Sequence, residues 1–244
     1  MIFQDWVEWR GEKSSVVGVG HRVSGSLNNL HDKEMFLIIP GNPGLAGFYQ
    51  EFMKSLHGKV GNPDLSIWAL SHAGHHRPEV SWIPAGPLSE KTYGFEEQIL
   101  HKLELIDRLI PQSTRITLIG HSIGCKIIME IFKRNSTHSF TGVYFLFPTI
   151  ENMVGTERGR QVYPLTTLLR IPCILILSLL YIILPKQILR TLLRRFLKDV
   201  PDSVLNTVHV LANPNYVNNC LVMAREELDT VLDLDTSTLK TMFG

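Results

Sequence analysis

"ITLIGHSIGCKIIMEIF", Ile116 to Phe132, sets a serine between two glycines, with an apolar run before it and a helical pattern after it. "ITLI" is mostly apolar and largely β-branched, as suits a buried strand. "CKIIMEIFK" carries apolar residues at helical spacing. Where a chain doubles back from strand to helix, the positions two before and two after the turning residue have no room for side chains. Gly120 and Gly124 stand there, so Ser122 reads as the apex of a nucleophile elbow. Such a turn lifts the Ser122 hydroxyl above the sheet edge. It also aims the Ile123 amide, at a helix N-terminus, toward an oxyanion forming on a substrate.

A second oxyanion donor is expected from the loop after an earlier strand. "EMFLIIP" (Glu34–Pro40) is a short apolar run ending in "GNPG", a strand entering a tight loop. In that loop Gly41 and Gly44 allow close backbone approach, and the Asn42 N–H is the expected donor. An ordinary Pro–Gly turn is the alternative reading. A helical stretch follows at "LAGFYQEFMKSLHGKV", then a strand at Leu65–Ser71 with "SHAGHH" as its exit. His72, His75 and His76 there either line a pocket or serve as loop histidines, and His121 reads as structural. Beyond a Pro-bearing loop, "YGFEEQILHKLELIDRLIP" spaces Phe95, Ile99, Leu103 and Ile106 along one helix face. "GVYFLFP" (Gly142–Pro148) is one more strand, and "FQDWVEW" with "SSVVGVGHRV" makes an N-terminal hairpin over residues 3–23. Strands alternating with helices predict an α/β fold built on a doubly wound, mostly parallel sheet.

The balance of 24 Lys plus Arg against 23 Asp plus Glu provides no field for gripping nucleic acid. Three separated cysteines suggest neither a disulfide framework nor a metal site, and no cofactor motif is visible. The start lacks the basic and long apolar regions of a cleavable signal, so the sequon at Asn135 is read as without meaning.

The strand–elbow–helix frame resembles the α/β-hydrolase superfamily. More narrowly, "FLIIPGNPG", "SHAGH", "LIGHSIG" and "FLFPTIE", occurring in that order, resemble the lipid droplet-associated hydrolase family over about residues 3 to 240. The resemblance implies a serine hydrolase fold, action on lipid esters such as cholesteryl esters, and attachment to lipid droplets and to the cytosolic face of the endoplasmic reticulum. It also implies a chain order of nucleophile, acid, histidine, the last two on late loops. After Ser122 only His138 and His209 remain. His138 precedes the "GVYFLFP" strand, at the wrong end of the sheet, and His209 falls among expected cap helices. Glu151, just after that strand, is a weak substitute for the acid. "LKTMFG" reads as the opening of a further strand. The expectation is therefore a chain shortened at its C-terminus, with the triad acid and histidine missing and little hydrolysis of its own.

Residues 1–150 are expected to form the hydrolase core, and residues 151–244 a helical, apolar cap and lipid-contact region lacking the last core strands. "IPCILILSLLYIILP", between Arg170 and Lys186, is about fourteen apolar residues that Pro172 and Pro185 break near each end, and a bilayer span needs roughly twenty. The basic, leucine-rich "KQILRTLLRRFLK" follows it. The pair suits shallow insertion of residues 171–199 into one leaflet or a droplet monolayer. A cap packed over the active site suits the same pattern. Two function classes follow: a lipid ester hydrolase whose chemistry starts at Ser122, or a non-catalytic lipid-surface protein. Oligomeric state is not legible.

Overall fold

The N-terminal β-rich runs pair as β1 (Ile2–Trp9) and β2 (Glu12–Val19), antiparallel from Ile2↔Val19 to Trp9↔Glu12. Arg10 and Gly11 turn between them at φ 51° and 80°, the two positive values that match the twist of a tight hairpin. The structure, a computed structural model, describes residues 1–24, 26–31, 33–78, 91–134 and 138–243. The Asn135 sequon and most of the Pro-bearing loop lie outside the described residues.

After one helical turn, α1 (Ser26–Asn29), come β3 (Glu34–Ile39), a 3-10 turn (Ala46–Tyr49), α2 (Gln50–Val60) and β4 (Ser66–Leu70). Then follow α3 (Phe95–Leu109), β5 (Arg115–His121), α4 (Ile123–Lys133) and β6 (Ser139–Leu146). The six strands form one sheet in the order β1-β2-β4-β3-β5-β6, with β3, β4, β5 and β6 parallel. Alternation divides the core between the faces. Leu37, Ile39, Ile116 and Leu118 pack with Ile99 and Ile106 of α3 and Ile127 and Ile131 of α4. Ile38, Ile67 and Ile119 face Ala46 and Met53 on the other side. Strands covered on both faces read as unbroken apolar runs, which is why β3 and β5 show no polar alternation. The strand expected from Gly142 begins at Ser139, because Ser139 and Phe140 already pair with Arg115 and Ile116 ahead of a bulge. β6 is an edge strand here, and Tyr144 on it is 61% exposed.

Beyond β6 the described chain is helical: α5 (Glu157–Thr166), α6 (Arg170–Ile183), α7 (Lys186–Phe196), α8 (Asp202–Leu211), α9 (Pro214–Thr230) and α10 (Thr236–Phe243). Helix α9 is the spine, packed against α3, α5, α6 and α8. Two local expectations are corrected. Leu239–Phe243, the described part of "LKTMFG", is not a strand but lies in α10. Asp235 caps that helix by accepting from the Thr238 amide at 3.0 Å and from the Ser237 hydroxyl at 2.7 Å, and Lys133 of α4 holds Asp235 at 2.6 Å. Pro172 does not break the apolar run, which is helical from Arg170 to Ile183. It sits in the first turn of α6, where its missing N–H leaves no intrahelical bond unmade.

Candidate active site

Strand register brings three loops together. Ile39 pairs with Gly120, and His121 with Leu146, so the chain leaves β3, β5 and β6 side by side. The chain passes from β3 to β4 on one side and from β4 to β5 on the other. That makes β3/β5 the switch point at which open α/β sheets leave a crevice beyond the strand ends.

Ser122 stands there at φ 52°, ψ −122°, a conformation a non-glycine residue holds at a cost of about 1–3 kcal/mol. Its neighbours over-determine it. The Ser122 amide donates to the Leu146 carbonyl at 3.0 Å, while the Ser122 carbonyl accepts from the Cys125 and Thr149 amides at 3.1 Å each. The glycine requirement is steric. A Cβ on Gly124 would sit 2.1 Å from the Ile39 carbonyl oxygen, and one on Gly120 would sit 2.8 Å from Cys125 Cα. The Ser122 hydroxyl, partly buried, meets the Thr149 hydroxyl at 3.0 Å. Its hydrogen-bond partner is therefore a threonine, not an imidazole.

The Pro40–Ala46 loop lies against the elbow. A Cβ on Gly41 would stand 3.0 Å from Ser122 Cβ and 2.9 Å from His121 Nδ1. The loop is pinned at several atoms. Gly41 N–H donates to the Tyr49 hydroxyl at 3.0 Å, Gly44 N–H to His75 Nδ1 at 2.9 Å, and Ala46 N–H to Ser71 Oγ at 2.9 Å. The Asn42 side chain donates to the Cys220 carbonyl at 2.8 Å and to Glu227 Oε1 at 3.0 Å. Among the described residues the Asn42 backbone N–H has no acceptor. The Ile123 N–H, first in α4, has none within its helix. Neither amide has a hydrogen-bond acceptor among the described residues; Ile123 follows Ser122 directly, and Asn42 follows Gly41, whose Cβ would stand beside Ser122.

Burial sets the charge states behind the loop. It lowers the His75 pKa to about 3 and that of His76 to about 4, and holds His72, His101 and Lys102 well below their ordinary values. A neutral His75 can accept from Gly44, and His76 bonds the Ser15 hydroxyl at 2.8 Å. His75 supports the loop from inside and the His72 backbone N–H donates to the Gly44 carbonyl at 2.8 Å, while both ring nitrogens of His72 and Nε2 of His75 are buried without a hydrogen-bond partner among the described residues. Burial also pushes the Glu227 carboxyl up to about 8 and the Tyr49 phenol up to about 12. His121 turns its Nδ1 to the Tyr49 hydroxyl at 2.9 Å.

The remaining candidates make no hydrogen bond to Ser122 among the described residues. His138 hydrogen-bonds the Ile110 carbonyl at 2.9 Å and pairs with Asp107 at 3.2 Å, at the end of the sheet where β6 begins. His209 is on α8. Glu151 follows β6 and is exposed, with no hydrogen bond or ion pair among the described residues. Three contacting residues escaped the sequence reading: Thr149, Tyr49 and Glu227. Only Thr149 left a trace there, inside "FLFPTIE". The other two reach the loop across spacings that no local pattern encodes.

A family model for lipid-droplet associated hydrolases matches residues 32–243. The chain belongs to that family. It is similar to the lipid droplet-associated hydrolase of Gallus gallus, 35% identical over 213 residues, covering 84% of this chain and 65% of that one. With the protein of that name from Homo sapiens the identity is 31% over 216 residues, covering 85% and 66%. The Drosophila melanogaster relative is 37% identical over 132 residues, covering 52% of this chain and 42% of its own. The chain thus spans less than two thirds of the length of these curated family members. Solved structures place the fold in the same group. Haloalkane dehalogenase DatA of Agrobacterium tumefaciens superposes with a TM-score of 0.55 at 17% identity, covering 99% of this chain and 72% of its own. The epoxide hydrolase CorEH gives 0.56 at 13%, covering 93% and 74%. At such identities the likeness is one of fold, and the fold is that of an α/β-hydrolase.

Proposed function

We propose that this family member contributes nucleophile and oxyanion hole to the cleavage of lipid esters at a droplet surface. Ser122 Oγ would attack the ester carbonyl. The negative charge forming on its oxygen would fall between the Asn42 and Ile123 amides. Collapse of that tetrahedral intermediate would break the bond to the alkoxy oxygen, which takes up the serine's proton and departs as the alcohol. Water would then hydrolyse the remaining acyl-serine to the acid. The observation that carries this reading is the strained Ser122 apex at a helix N-terminus, with the Asn42 loop against it. Its rate is limited by the base. A serine bonded to a threonine is not activated. In a comparable triad, loss of the base costs about a million-fold in turnover, with roughly a thousand-fold over water remaining. Cholesteryl esters suit the reading as bulky apolar substrates, and slow turnover is expected for the chain alone.

Attachment through residues 171–199 rests on the outward face of α6 and α7. Only Ile174 and Ser178 of α6 are buried, while Ile176, Leu179 and Ile183 are 61%, 59% and 62% exposed. Half-burying each of these in acyl chains would gain about 1 kcal/mol. No single helix among the described residues is long and apolar enough to cross a membrane; α5 and α6 reach that length and composition only as a pair bent by 70°. Helix α7 adds Ile188, Leu192 and Phe196 on an exposed apolar side, with Arg195 and Lys198 exposed nearby to meet lipid phosphates. Droplets, and by the same chemistry the cytosolic face of the endoplasmic reticulum, are the proposed location.

A fluorophosphonate probe tests the chemistry. Labelling of wild type that vanishes in Ser122→Ala supports it. Equal background labelling in both favours a second reading, a non-catalytic lipid-surface protein, to which the Ser122–Thr149 bond lends its weight. For attachment, a variant with glutamate at positions 176, 179 and 183 should stay in the aqueous fraction when floated with phospholipid-coated triolein droplets. Flotation equal to wild type would exclude α6 as the contact.

A further inference from the structure

An amide reserved for an oxyanion cannot also anchor its own residue, and the Pro40–Ala46 loop shows the consequence. On either side of Asn42 the loop is held through backbone N–H groups: Gly41 to Tyr49, Gly44 to His75, Ala46 to Ser71. Asn42 alone is held through its side chain, and both of its amide hydrogens go to one element, α9. We propose that Glu227, together with the Cys220 carbonyl, is a positioning group for the oxyanion loop, fixing the Asn42 backbone amide beside Ser122 by accepting from the Asn42 side chain. The proposal deepens the reading above and rests on its assignment of Asn42 as an oxyanion donor.

The surroundings of Glu227 fit holding rather than charge pairing. Glu227 is 3% exposed, and no cation is paired with it among the described residues. Its helix neighbours are engaged elsewhere. Arg225 pairs with Asp229, Glu226 accepts from the Phe95 amide at 2.6 Å, and Asn218 accepts from Arg170 at 2.7 Å. The Cys220 thiol lies 3.4 Å from His75 Nδ1, so α9 touches the loop's other anchor as well. A carboxyl oxygen in either protonation state, or the carbonyl of a glutamine, can accept from Asn42. An alkyl side chain cannot, and would leave a buried N–H unpaired. Glu227 acts through Asn42 and is not itself a catalytic residue.

Hydrogen exchange read by mass spectrometry on the whole chain tests this, comparing a peptide spanning the loop with one covering β5. Glu227→Leu, apolar and favourable to helix, should speed exchange of the Gly44–Ala46 amides at least tenfold while β5 amides stay as in wild type. Glu227→Gln should remain within threefold of wild type. Where fluorophosphonate labelling of Ser122 is measurable, its rate should fall tenfold in Glu227→Leu and recover in Glu227→Gln. Unchanged loop exchange in Glu227→Leu, or a Glu227→Gln loop as fast as Glu227→Leu, would overturn the proposal. Should Glu227→Leu not fold, Glu227→Ala takes its place under the same criteria. Labelling absent even in wild type would defeat the hydrolase reading and leave the exchange result to decide whether α9 holds the loop.

Discussion

Replacing Glu227 with glutamine should make the protein clearly more stable at pH 8 and raise its stability by less than about 1 kcal/mol at pH 5. Burial raises this carboxyl from 4.5 to about 8 in the fold. Between those values the unfolded chain releases the proton while the folded chain keeps it. The contribution to stability is therefore fully present below about pH 4.5, declines as pH rises toward 8, and is flat above. A gap of about three and a half pH units, at 1.36 kcal/mol per unit, corresponds to about 5 kcal/mol; allowing for relaxation around the ionised group, a working figure is about 3–5 kcal/mol. Glutamine keeps the acceptor for Asn42 and removes the ionisation. For a chain of this size the gain at pH 8 amounts to roughly 10 °C in Tm. Thermal and urea unfolding of both proteins at pH 5 and pH 8 measure it, and other titrating groups cancel in the difference. A wild type and variant separated by the same amount at both pH values would refute the reasoning.

Three further outcomes are expected. Ser122→Gly should raise stability by about 1 kcal/mol, seen as a higher urea midpoint, because glycine accepts φ 52° without steric cost; a lower midpoint would show that the apex is not strained. Gly124→Ala should lose about 3 kcal/mol or more, or fail to fold, since its Cβ meets the Ile39 carbonyl oxygen at 2.1 Å, a backbone atom that cannot rotate away; a change below about 0.5 kcal/mol would contradict the close approach. On acidification the protein should weaken from about pH 6.5 downward, because His75 and His76, depressed by burial to about 3 and about 4, bind protons in the unfolded chain first. His76→Asn should flatten that slope in urea melts between pH 4 and 7, and a slope unaltered by the change would remove His76 from the account.

Much of the fold was legible because it rests on local chemistry. Apolar, β-branched runs at Glu34–Ile39, Ser66–Leu70 and Arg115–His121 are strands buried on both faces, and glycine at 120 and 124 leaves few conformations other than a tight strand-to-helix turn. Helix α10 was misread because "LKTMFG" has no strong periodicity, and its cap, Asp235, draws strength from Lys133 on a distant helix. The apolar run at α6 could be a core helix or a surface one from pattern alone, since hydrophobicity records what a side chain prefers and not what it meets. Only the packing of α6 on α9 shows which residues face outward.

Spacing along the chain thus determined the sheet, the elbow and the family, each of which depends on backbone geometry within a few residues. Tertiary structure alone decided what surrounds Ser122: the Thr149 hydroxyl on its oxygen, Tyr49 and His75 behind the Asn42 loop, and Glu227 holding Asn42 from 185 positions away. A hydrogen bond is chosen by distance in space, and desolvation by whatever closes over it. Neither is written in the order of residues until the chain has folded.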